Sequence, residues 1–390
     1  MADNRPLSSP KSRILDSIAD LGLQAAINRV VARNFTGKVK MKNAWAVRIA
    51  TDEVLKTSAQ LGVKNIVFYG GPGSGLLPGT DEPHGKSRNT YEDYAALRER
   101  IESFGLNLVA CEGGFIADKK FHDIAFGGPK RDELIEELAA EITDMGRAGI
   151  PILGYHWMPA SVWRSGNVRV RGGAEATLWD SESPEKMPIQ DIAVADHYDI
   201  AQENMRNCLE YWIRTITSVA EEAGIRLGIH PDDPPVPELG GVPRLLGSFD
   251  AYKRLVSVVD SPSNAIEFCQ GTFSEMADAA GDGIYEMIRY FAERNKILYV
   301  HFRNVSGTVP KFNEEFINTG YVDMKRAMET YNAAGFEGVF MDDHCPLITG
   351  DTDFPGNWGG YRSRIFAQGY IQAMLEAVTG DRPAGTSPAG

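Results

Sequence analysis

The stretch "GIRLGIHPDDPP", from Gly224 to Pro235, guides the interpretation of the whole chain. It begins as a short apolar run, which is typical of a buried strand, and the run stops at His230. The prolines that follow fix φ and remove backbone donors, so the strand ends there and the turn with its two aspartates is stiff. A buried strand that delivers an imidazole to a rigid acidic turn indicates a site, provided that other strands end in the same way.

Other short apolar runs recur along the chain, each followed by a turn and a helical pattern. They predict eight strands, at 39–47, 65–70, 106–111, 150–156, 225–230, 265–269, 297–302 and 338–343. Apolar residues recur at helical spacing at 91–105, 131–149, 204–224, 281–296 and 323–335. This alternation predicts an α/β fold, a (β/α)8 TIM barrel. The competing architecture is a doubly wound sheet, but the glycine-rich "YGGPGSG" at 69–75 is not followed at once by the helix that a dinucleotide fingerprint needs.

Four consecutive predicted strands end in, or just before, side chains that bind metals. In a barrel the carboxyl ends of the strands surround one mouth, so these side chains should meet there. Imidazole, thiolate and carboxylate are common metal ligands, although each residue alone is more often structural. The coincidence predicts a divalent metal site that Mn²⁺, Fe²⁺, Co²⁺ or Zn²⁺ could occupy. The predicted ligands are His230, Cys269, His301 and Asp343.

Polar residues near these strand ends are candidates for proton transfer and substrate binding. His344 and Tyr361 are the candidate acid–base residues, because an imidazole with a pKa of about 6.5 suits proton transfer near neutral pH. Arg303 could bind a substrate carboxylate through two hydrogen bonds, or it could be a structural ion-pair partner. Asp232 and Asp233 could orient an imidazole or bind sugar hydroxyls; the alternative is a pair of solvated acids on a rigid turn.

The third and fourth strands bring further polar residues to the same predicted mouth. Glu112 follows the third strand, and His156 and Trp157 end the fourth. Because His156 and Trp157 are adjacent, they should not both point inward. All three are candidates for substrate binding, with structural roles as the alternative. We expect the histidines in polar stretches to lie on the surface: His84, His122 and His197.

Composition restricts the class of protein. The chain has 390 residues, 43% of them hydrophobic, and a formal net charge of -13, which disfavours binding to nucleic acid or to an anionic membrane. There is no secretory signal and no apolar run of about 18 residues. Four cysteines in a chain of this length suggest no disulfide framework. These features predict a cytoplasmic enzyme with reduced thiols.

The segment boundaries predict one catalytic domain between two tails. Residues 1–12 and 381–390 are polar and rich in proline, serine or glycine, which is typical of disordered tails, and the barrel should span 13–380. Residues 158–198 form a long polar insertion after the fourth strand. It could be a lid over the mouth or a surface insertion with no role. Barrels of this size often associate, so we expect a homo-oligomer.

Several motifs together resemble the mannonate dehydratase family. These are "IRLGIHPDDPPVPELGGVPRL", "FCQGTF", "ILYVHFRNV", "GYVDM", and "DDHCP" followed by "GGY", and the similarity spans about residues 145–380. The first 130 residues resemble the family only in layout. The resemblance implies a xylose-isomerase-like TIM barrel, a Mn²⁺-type ion, and loss of water from D-mannonate to give 2-keto-3-deoxygluconate. It places the family's metal ligands on the four residues predicted above, and its acid–base residues on His344 and Tyr361.

The chain also departs from the family pattern. The eighth strand has "MDDHC" where the family has an "RPDHG"-like sequence, and Asn313 stands where a histidine is expected. The "YGGPGSG" stretch replaces a His-His-Ile-Pro-like sequence. These changes should affect the substrate more than the metal.

The predicted reaction is a metal-dependent dehydration of a small anionic sugar acid. The C2 proton is weakly acidic, so its removal needs a cation to balance the developing charge. An alternative is a metal-dependent sugar or sugar-acid isomerase or epimerase, which uses the same site without releasing water. A third possibility, a sugar-acid binding protein on an inactive barrel, rests only on the missing family residues, and the retained ligand types argue against it.

Overall fold

The computed structural model of the chain describes residues 41–70, 88–113, 119–183, 198–351 and 360–380. Within these ranges the strands are β1 (Lys42–Val47), β2 (Asn65–Tyr69), β3 (Asn107–Gly113), β4 (Ile152–His156), β5 (Gly166–Arg169), β6 (Glu175–Asp180), β7 (Arg226–His230), β8 (Glu238–Leu239), β9 (Val242–Pro243), β10 (Asn264–Cys269), β11 (Ile297–His301), β12 (Asn304–Val305), β13 (Lys311–Glu315) and β14 (Val339–Met341). The helices are α1 (Asp52–Gln60), α2 (Tyr91–Glu102), α3 (His122–Phe126), α4 (Arg131–Arg147), α5 (Gln202–Ala223), α6 (Phe249–Val258), α7 (Gln270–Glu275), α8 (Gly283–Ala292), α9 (Met324–Ala333) and α10 (Tyr361–Thr379).

Eight parallel strands close into a barrel in the order β1-β14-β11-β10-β7-β4-β3-β2. The predicted TIM barrel is therefore confirmed, and each of the eight predicted strands overlaps an observed one. The last strand ends at Met341, so Asp343 lies just beyond it and not on it. The register pairs Cys269 with His301 and His156 with His230, which brings these strand ends to one level of the mouth.

Two apolar layers hold the barrel together. A small cluster contributed by barrel strands includes Ala44, Ala46, Val67 and Ala110, and such short side chains suit the narrow interior of an eight-stranded barrel. A much larger cluster joins the outer faces of the strands to the surrounding helices. Because both faces of the strands are covered, their sequences are nearly continuous apolar runs.

The insertion after β4 is more regular than the sequence suggests. Strands β5 and β6 form an antiparallel hairpin, and β6 pairs with β13, which pairs with β12. The result is a four-stranded sheet built on segments that follow β4 and β11, at the mouth end of the barrel. Of the predicted insertion, 158–183 and Tyr198 are described, and 184–197 lie outside the described residues.

One prediction about a histidine needs correction, and several predictions concern residues that the structure does not describe. His122 is buried on α3 and packs edge-on against Phe126, so the expectation of a surface histidine is wrong for this residue. His84, His197 and the two predicted tails lie outside the described residues.

Among the described helices, none is both long and apolar enough to cross a membrane.

Candidate active site

Three of the four predicted ligands converge at the mouth of the barrel. His230 ends β7, Cys269 ends β10 and His301 ends β11. Each offers one ligand atom, and these atoms lie within 4.8 Å of one another. All three residues are buried. Adjacent strands of a parallel barrel produce this convergence because their carboxyl ends are in register.

The turn after β7 fixes the orientation of His230. Its Nδ1 lies 2.6 Å from the carbonyl oxygen of Pro231, which can only accept, so Nδ1 carries the proton. That leaves Nε2 as the atom available to a metal, since metal-binding histidines usually donate their other ring N–H to a carbonyl or carboxylate oxygen. Burial alone would lower the pKa of His230, but Cys269 raises it, to about 10.

Cys269 has the surroundings of a thiolate. Burial alone would raise the pKa of its thiol, but Arg303 and His230 outweigh burial and hold that pKa well below the usual range. The Thr272 hydroxyl lies 3.2 Å from Sγ and donates to it. A thiolate is the form of cysteine that binds metals.

His301 lies between carboxylates on both sides of its ring. Its Nε2 is 2.9 Å from Oε1 of Glu267 and 3.1 Å from Oε2 of Glu112, whereas Nδ1 is 3.6 Å from Oδ2 of Asp343. Burial alone would lower the pKa of His301, but nearby Tyr69, Glu112 and Glu267 raise it well above the usual range. The structure therefore brings the predicted Glu112 into the cluster.

Glu267 is a member of the cluster that the sequence analysis missed. It lies two residues before Cys269 on β10 and shares its face of the strand, and it is fully buried. Its carboxylate lies 2.9 Å from Nε2 of His301 and also hydrogen-bonds with the Tyr299 hydroxyl. Burial raises the pKa of Glu267 to about 7, and Glu112 adds to the rise. The available signal was an acidic residue inside the otherwise apolar run "AIEFC".

The donor set fits a divalent cation. Nitrogen, sulfur and oxygen donors face one another, as in transition-metal sites. Carboxylates that lie close together in a buried site are costly unless a cation neutralises them. Glu112 and Glu267 are such a pair here, since both approach Nε2 of His301. The residues that could hold the ion are His230, Cys269, His301 and the adjoining carboxylates of Glu112, Glu267 and Asp343.

Arg303 serves as the centre of a buried ion-pair network. Its Nε donates to Asp343 at 2.8 Å, Nη1 donates to Glu275 and Glu314, and Nη2 donates to Asp233 and Thr272. The side chain is only 2% exposed, and its donors are already used by the protein. Of the two roles left open by the sequence, the structure supports the structural ion pair, because no donor is left for a substrate carboxylate.

The two aspartates of the opening motif are buried anchors of their turn. Asp233 is bonded to Arg303 and to Arg164, a residue that the sequence analysis did not single out. Asp232 accepts from Arg244 at 3.3 Å and from the Leu246 backbone. Neither carboxylate bonds to His230 and both are buried, so an orienting role and the solvated alternative are corrected: the acids stiffen the turn by bonding across it. Binding of sugar hydroxyls by these aspartates stays a prediction.

His344 lies at the mouth beside the cluster. Its Nδ1 is 3.0 Å from Oε1 of Glu314, its Nε2 is 3.7 Å from Oδ1 of Asp343, and its side chain is 16% exposed. Its backbone has a φ of 40°, in the left-handed region that is costly for a residue with a side chain. Such strain is typical of functional positions.

The structure does not bring Tyr361 to the cluster. The residue begins α10, its ring stacks on Trp45 at 5.6 Å, and its hydroxyl bonds to Thr57 on α1. Trp45 belongs to the layer between the barrel and the helices. Two other tyrosines reach the cluster: the Tyr69 hydroxyl lies 3.4 Å from Oδ1 of Asp343, and the Tyr299 hydroxyl lies 3.3 Å from Oε2 of Glu112.

The two predicted site residues at the end of β4, His156 and Trp157, face different sides of the barrel wall. Trp157 is 1% exposed and packs against Trp212 of α5, so it faces the helices and not the mouth. His156 is level with His230 across the strand pair. Burial lowers the pKa of His156 to about 3, with His230 adding to the effect. The expectation that only one of the two points inward is met by His156, and a substrate-binding role for Trp157 is not supported.

Two departures from the family pattern also have defined surroundings. Asp342 bonds to Arg364 at 2.6 Å and to Gln368, both on α10, so it faces away from the cluster. Asn313 on β13 donates to the Glu314 carbonyl and to Glu315.

Comparison with known proteins identifies the family. The family model described as D-mannonate dehydratase (UxuA) matches residues 39–194 and 183–382. A mannonate dehydratase of Streptococcus uberis is 31% identical over 305 residues, which cover 72% of this chain and 85% of that protein.

Solved structures agree with this result. The mannonate dehydratase of Streptococcus suis serotype 2 superposes with a TM-score of 0.76 at 28% identity, covering 90% of this chain and 97% of that one. A xylose isomerase domain protein from Planctomyces limnophilus shares the fold, with a TM-score of 0.55 at 13% identity, over 88% of this chain and all of that one (100%). The fold is thus xylose-isomerase-like, as the resemblance implied, and the chain belongs to the mannonate dehydratase family.

Proposed function

We propose that this protein is a metal-dependent hydro-lyase that removes water from D-mannonate to give 2-keto-3-deoxygluconate. The observation that carries the proposal is the convergence of His230, Cys269 and His301 at the mouth of a barrel of this family. The relatives described above are named mannonate dehydratases. The substrate is therefore a small anionic sugar acid.

The residues proposed to hold the ion are His230, Cys269 and His301, together with a carboxylate from the same cluster. Asp343 is the carboxylate that the sequence predicts. When bound, a divalent ion supplies a positive charge that stabilises negative charge developing on substrate oxygens. We propose Mn²⁺ as the native ion, with Fe²⁺, Co²⁺ and Zn²⁺ as alternatives that the same donors accept.

His344 is the proposed proton-transfer residue. The Glu314 carboxylate, 3.0 Å from Nδ1, orients the ring in the way that a buried acid orients a catalytic histidine. The imidazole is partly exposed at the mouth, where a substrate can reach it. In the reaction the C2–H bond breaks and its proton goes to a base, the C3–O bond breaks and the hydroxyl leaves with a proton as water, and the resulting enol becomes the 2-keto acid.

Tyr69 is the proposed second group. Its hydroxyl and His344 both lie beside Asp343, on the mouth side of the cluster. Burial raises the pKa of Tyr69 well above its usual range, and Asp343 adds to the rise, so the hydroxyl keeps its proton at neutral pH. A protonated hydroxyl can donate to a leaving hydroxyl group.

An activity screen tests the proposed reaction. The purified protein is incubated with Mn²⁺ and a panel of hexonates and ketoses, and products are identified by NMR. We expect a 2-keto-3-deoxy acid from D-mannonate, because only dehydration removes the C3 oxygen. Interconversion of sugars or sugar acids without any deoxy product would replace this proposal with the isomerase or epimerase alternative.

Assembly and location are further parts of the proposal. We propose a homo-oligomer in the cytoplasm; the four buried free cysteines are consistent with a reducing compartment. Light scattering coupled to size-exclusion chromatography measures the mass of the particle in solution, and a mass of one chain would contradict the oligomer.

A further inference from the structure

Arg164 joins the insertion after β4 to the residues around His344, although no motif in the sequence singles it out. We propose that Arg164 is a positioning residue for proton transfer, because it holds the Glu314 carboxylate at the place where that carboxylate orients the His344 ring. The inference rests on the proposed function for the role of His344 itself. It gives the described part of the insertion a task that differs from that of a lid.

One carboxylate oxygen is shared by Arg164 and His344. Oε1 of Glu314 lies 2.7 Å from Nη2 of Arg164 and 3.0 Å from Nδ1 of His344. Arg303 approaches the same carboxylate through Nη1, at 2.8 Å from Oε1 and 2.6 Å from Oε2. A Glu314 carboxylate that was free to rotate would move Oε1 away from the imidazole. The two guanidinium groups therefore determine where the His344 ring is held.

Arg303 alone cannot hold Glu314 in this way, because its donors are divided among several acids. They also bond to Asp233, Glu275 and Asp343. Arg164 is the second guanidinium of the network, and it forms ion pairs with two of these acids as well as with Glu314. Without Arg164, one guanidinium would have to serve four buried acids, and Glu314 would no longer be held from two sides.

The four-stranded sheet at the mouth fixes the position of Arg164. The guanidinium carbon lies 5.2 Å from the centre of the Phe312 ring, and Phe312 precedes Glu314 by two residues on the same face of β13. Ser165, the next residue along the chain, donates to the Leu178 carbonyl of β6 through its backbone N–H at 2.8 Å and its hydroxyl at 3.2 Å. Strand β6 pairs with β13. The backbone beside Arg164 is thus held by one strand and its side chain by the next, and that side chain is only 9% exposed.

His344 depends on its surroundings more than most residues do. Its φ of 40° is a strained conformation, which persists only where neighbouring groups hold it. The Glu314 carboxylate, 3.0 Å from Nδ1, is closer to the ring than the Asp343 carboxylate, which lies 3.7 Å from Nε2. A displacement of about 1 Å in a catalytic group can reduce turnover by about 100-fold. Loss of Arg164 should therefore reduce turnover although Arg164 does not touch the substrate.

Kinetics of matched variants test this role. Arg164→Met removes the guanidinium, Arg164→Lys keeps a positive charge, and the control Arg169→Met changes an exposed arginine of β5 in the same hairpin. We expect Arg164→Met to lower kcat by about 10- to 100-fold, with KM for D-mannonate and the bound Mn²⁺ close to those of the wild type. Arg164→Lys should recover part of the loss, and Arg169→Met should keep the wild-type kcat. Circular dichroism confirms that each variant is folded.

A double-mutant cycle shows whether Arg164 acts through His344. Arg164→Met is combined with His344→Ala, and the turnover of the double variant is compared with that of His344→Ala alone. If Arg164 only positions the imidazole, its removal should change kcat by less than about twofold when the imidazole is absent. An equal loss in both backgrounds would overturn the inference, because it would show a general effect on the structure. The same cycle with Arg164→Lys provides a folded variant if Arg164→Met does not fold.

A crystal structure of Arg164→Met tests the inference without substrate. We expect the distance between Nδ1 of His344 and Oε1 of Glu314 to increase from 3.0 Å to more than about 3.5 Å, beyond hydrogen-bonding range. An unchanged contact, or a wild-type kcat in Arg164→Met, overturns the inference and leaves the proposed function in place. A wild-type protein that forms no 2-keto-3-deoxy acid overturns the proposed function, whereas displacement of the ring in the variant would still support the positioning of His344 by Arg164.

Discussion

The ring of His301 separates two carboxylates with different surroundings. On one side Asp343 belongs to the arginine network, and on the other Glu267 and Glu112 face the barrel interior. The His301 side chain therefore lies between the metal-ligand cluster and the ion-pair network of Arg303. At the scale of residues, some of these side chains are proposed to bind the metal and others to transfer protons. Single substitutions can separate the two roles.

Ligand and proton-transfer roles should separate in a pair of variants. His344→Ala should keep the bound metal and lose most turnover, by about 100-fold or more, because it removes the proton-transfer group. Cys269→Ser should lose the bound metal, and turnover as a consequence, because a hydroxyl is a poor substitute for a buried thiolate. Elemental analysis and steady-state kinetics on both proteins check this. Unchanged metal content in both variants would refute the ligand assignment.

Tyr69 and Tyr361 offer a matched comparison of two hydroxyls. Tyr69→Phe should lower kcat by about 100-fold or more, because the hydroxyl beside Asp343 is lost. Tyr361→Phe removes only a hydroxyl that bonds Thr57 in the outer layer, so its kcat should stay close to that of the wild type. Steady-state kinetics of the two variants measure this difference. A large loss of kcat confined to Tyr361→Phe would restore the acid–base role that the family resemblance gives to Tyr361.

Arg303 should contribute mainly to stability. It is surrounded by the buried carboxylates of Asp233, Glu275, Glu314 and Asp343. Removing the guanidinium leaves Asp343 without its arginine and leaves Arg164 alone to neutralise the other three carboxylates, so Arg303→Met should lower the free energy of unfolding by about 3–5 kcal/mol. Arg214→Met removes an exposed pair with Glu210 and an exposed hydrogen bond to the Val258 carbonyl, and it should cost at most about 1 kcal/mol. Urea unfolding measures both, and equal effects would argue against the network.

At the scale of elements, the barrel was predictable because its strands are continuous apolar runs. The carboxyl ends of β7, β10 and β11 could be placed from the sequence, and with them the three converging ligands. The hairpin β5–β6 was missed because neither strand is a continuous apolar run: β5 alternates between partly buried and exposed positions, and in β6 only Ala176 and Trp179 are buried. Its pairing with β13 is a tertiary contact that no local pattern encodes.

Side-chain partners across the site were less predictable than strand ends. Arg164 and Glu314 meet although they are 150 positions apart in the chain, and the sequence offered no signal for this pair. Glu267 was hidden because a single acid in an apolar strand is compatible with many roles. Arg303 was recognised as a charged residue near the mouth, but only the geometry showed that its donors are used internally.

Two glycines on different elements should respond in opposite ways to alanine. Gly154→Ala on β4 would place a methyl group against Tyr299 and Glu267, and such overpacking costs about 1–3 kcal/mol. It should also weaken Mn²⁺ binding if Glu267 is displaced. Gly369→Ala on α10 meets nothing within 4 Å and should stabilise the helix by up to about 1 kcal/mol. Chemical unfolding measures the stability of both variants, and titration calorimetry measures Mn²⁺ binding by Gly154→Ala. A Gly154→Ala protein with wild-type stability would show that the space beside Gly154 is not tightly filled.

At the scale of the whole molecule, the metal site connects parts of the chain that are distant in sequence. His230, Cys269 and His301 come from three neighbouring strands of the closed barrel. In the unfolded chain these residues do not form one site, so a bound ion stabilises the folded state selectively. The extent of that stabilisation depends on ion concentration, which gives a test that requires no substrate.

The thermal unfolding midpoint should therefore rise with Mn²⁺ concentration. At a free concentration one hundred times the Kd the gain is about 2.7 kcal/mol, which corresponds to roughly 5 °C for a large domain, and a chelator should reverse it. Cys269→Ser should abolish the dependence because a ligand is lost. The matched control is Cys208→Ser, since Cys208 is also buried but lies on α5, outside the cluster, and should keep the full dependence on Mn²⁺. Scanning calorimetry of the three proteins over a series of Mn²⁺ concentrations measures the effect, and an equal response in the two variants would place the ion somewhere other than the mouth of the barrel.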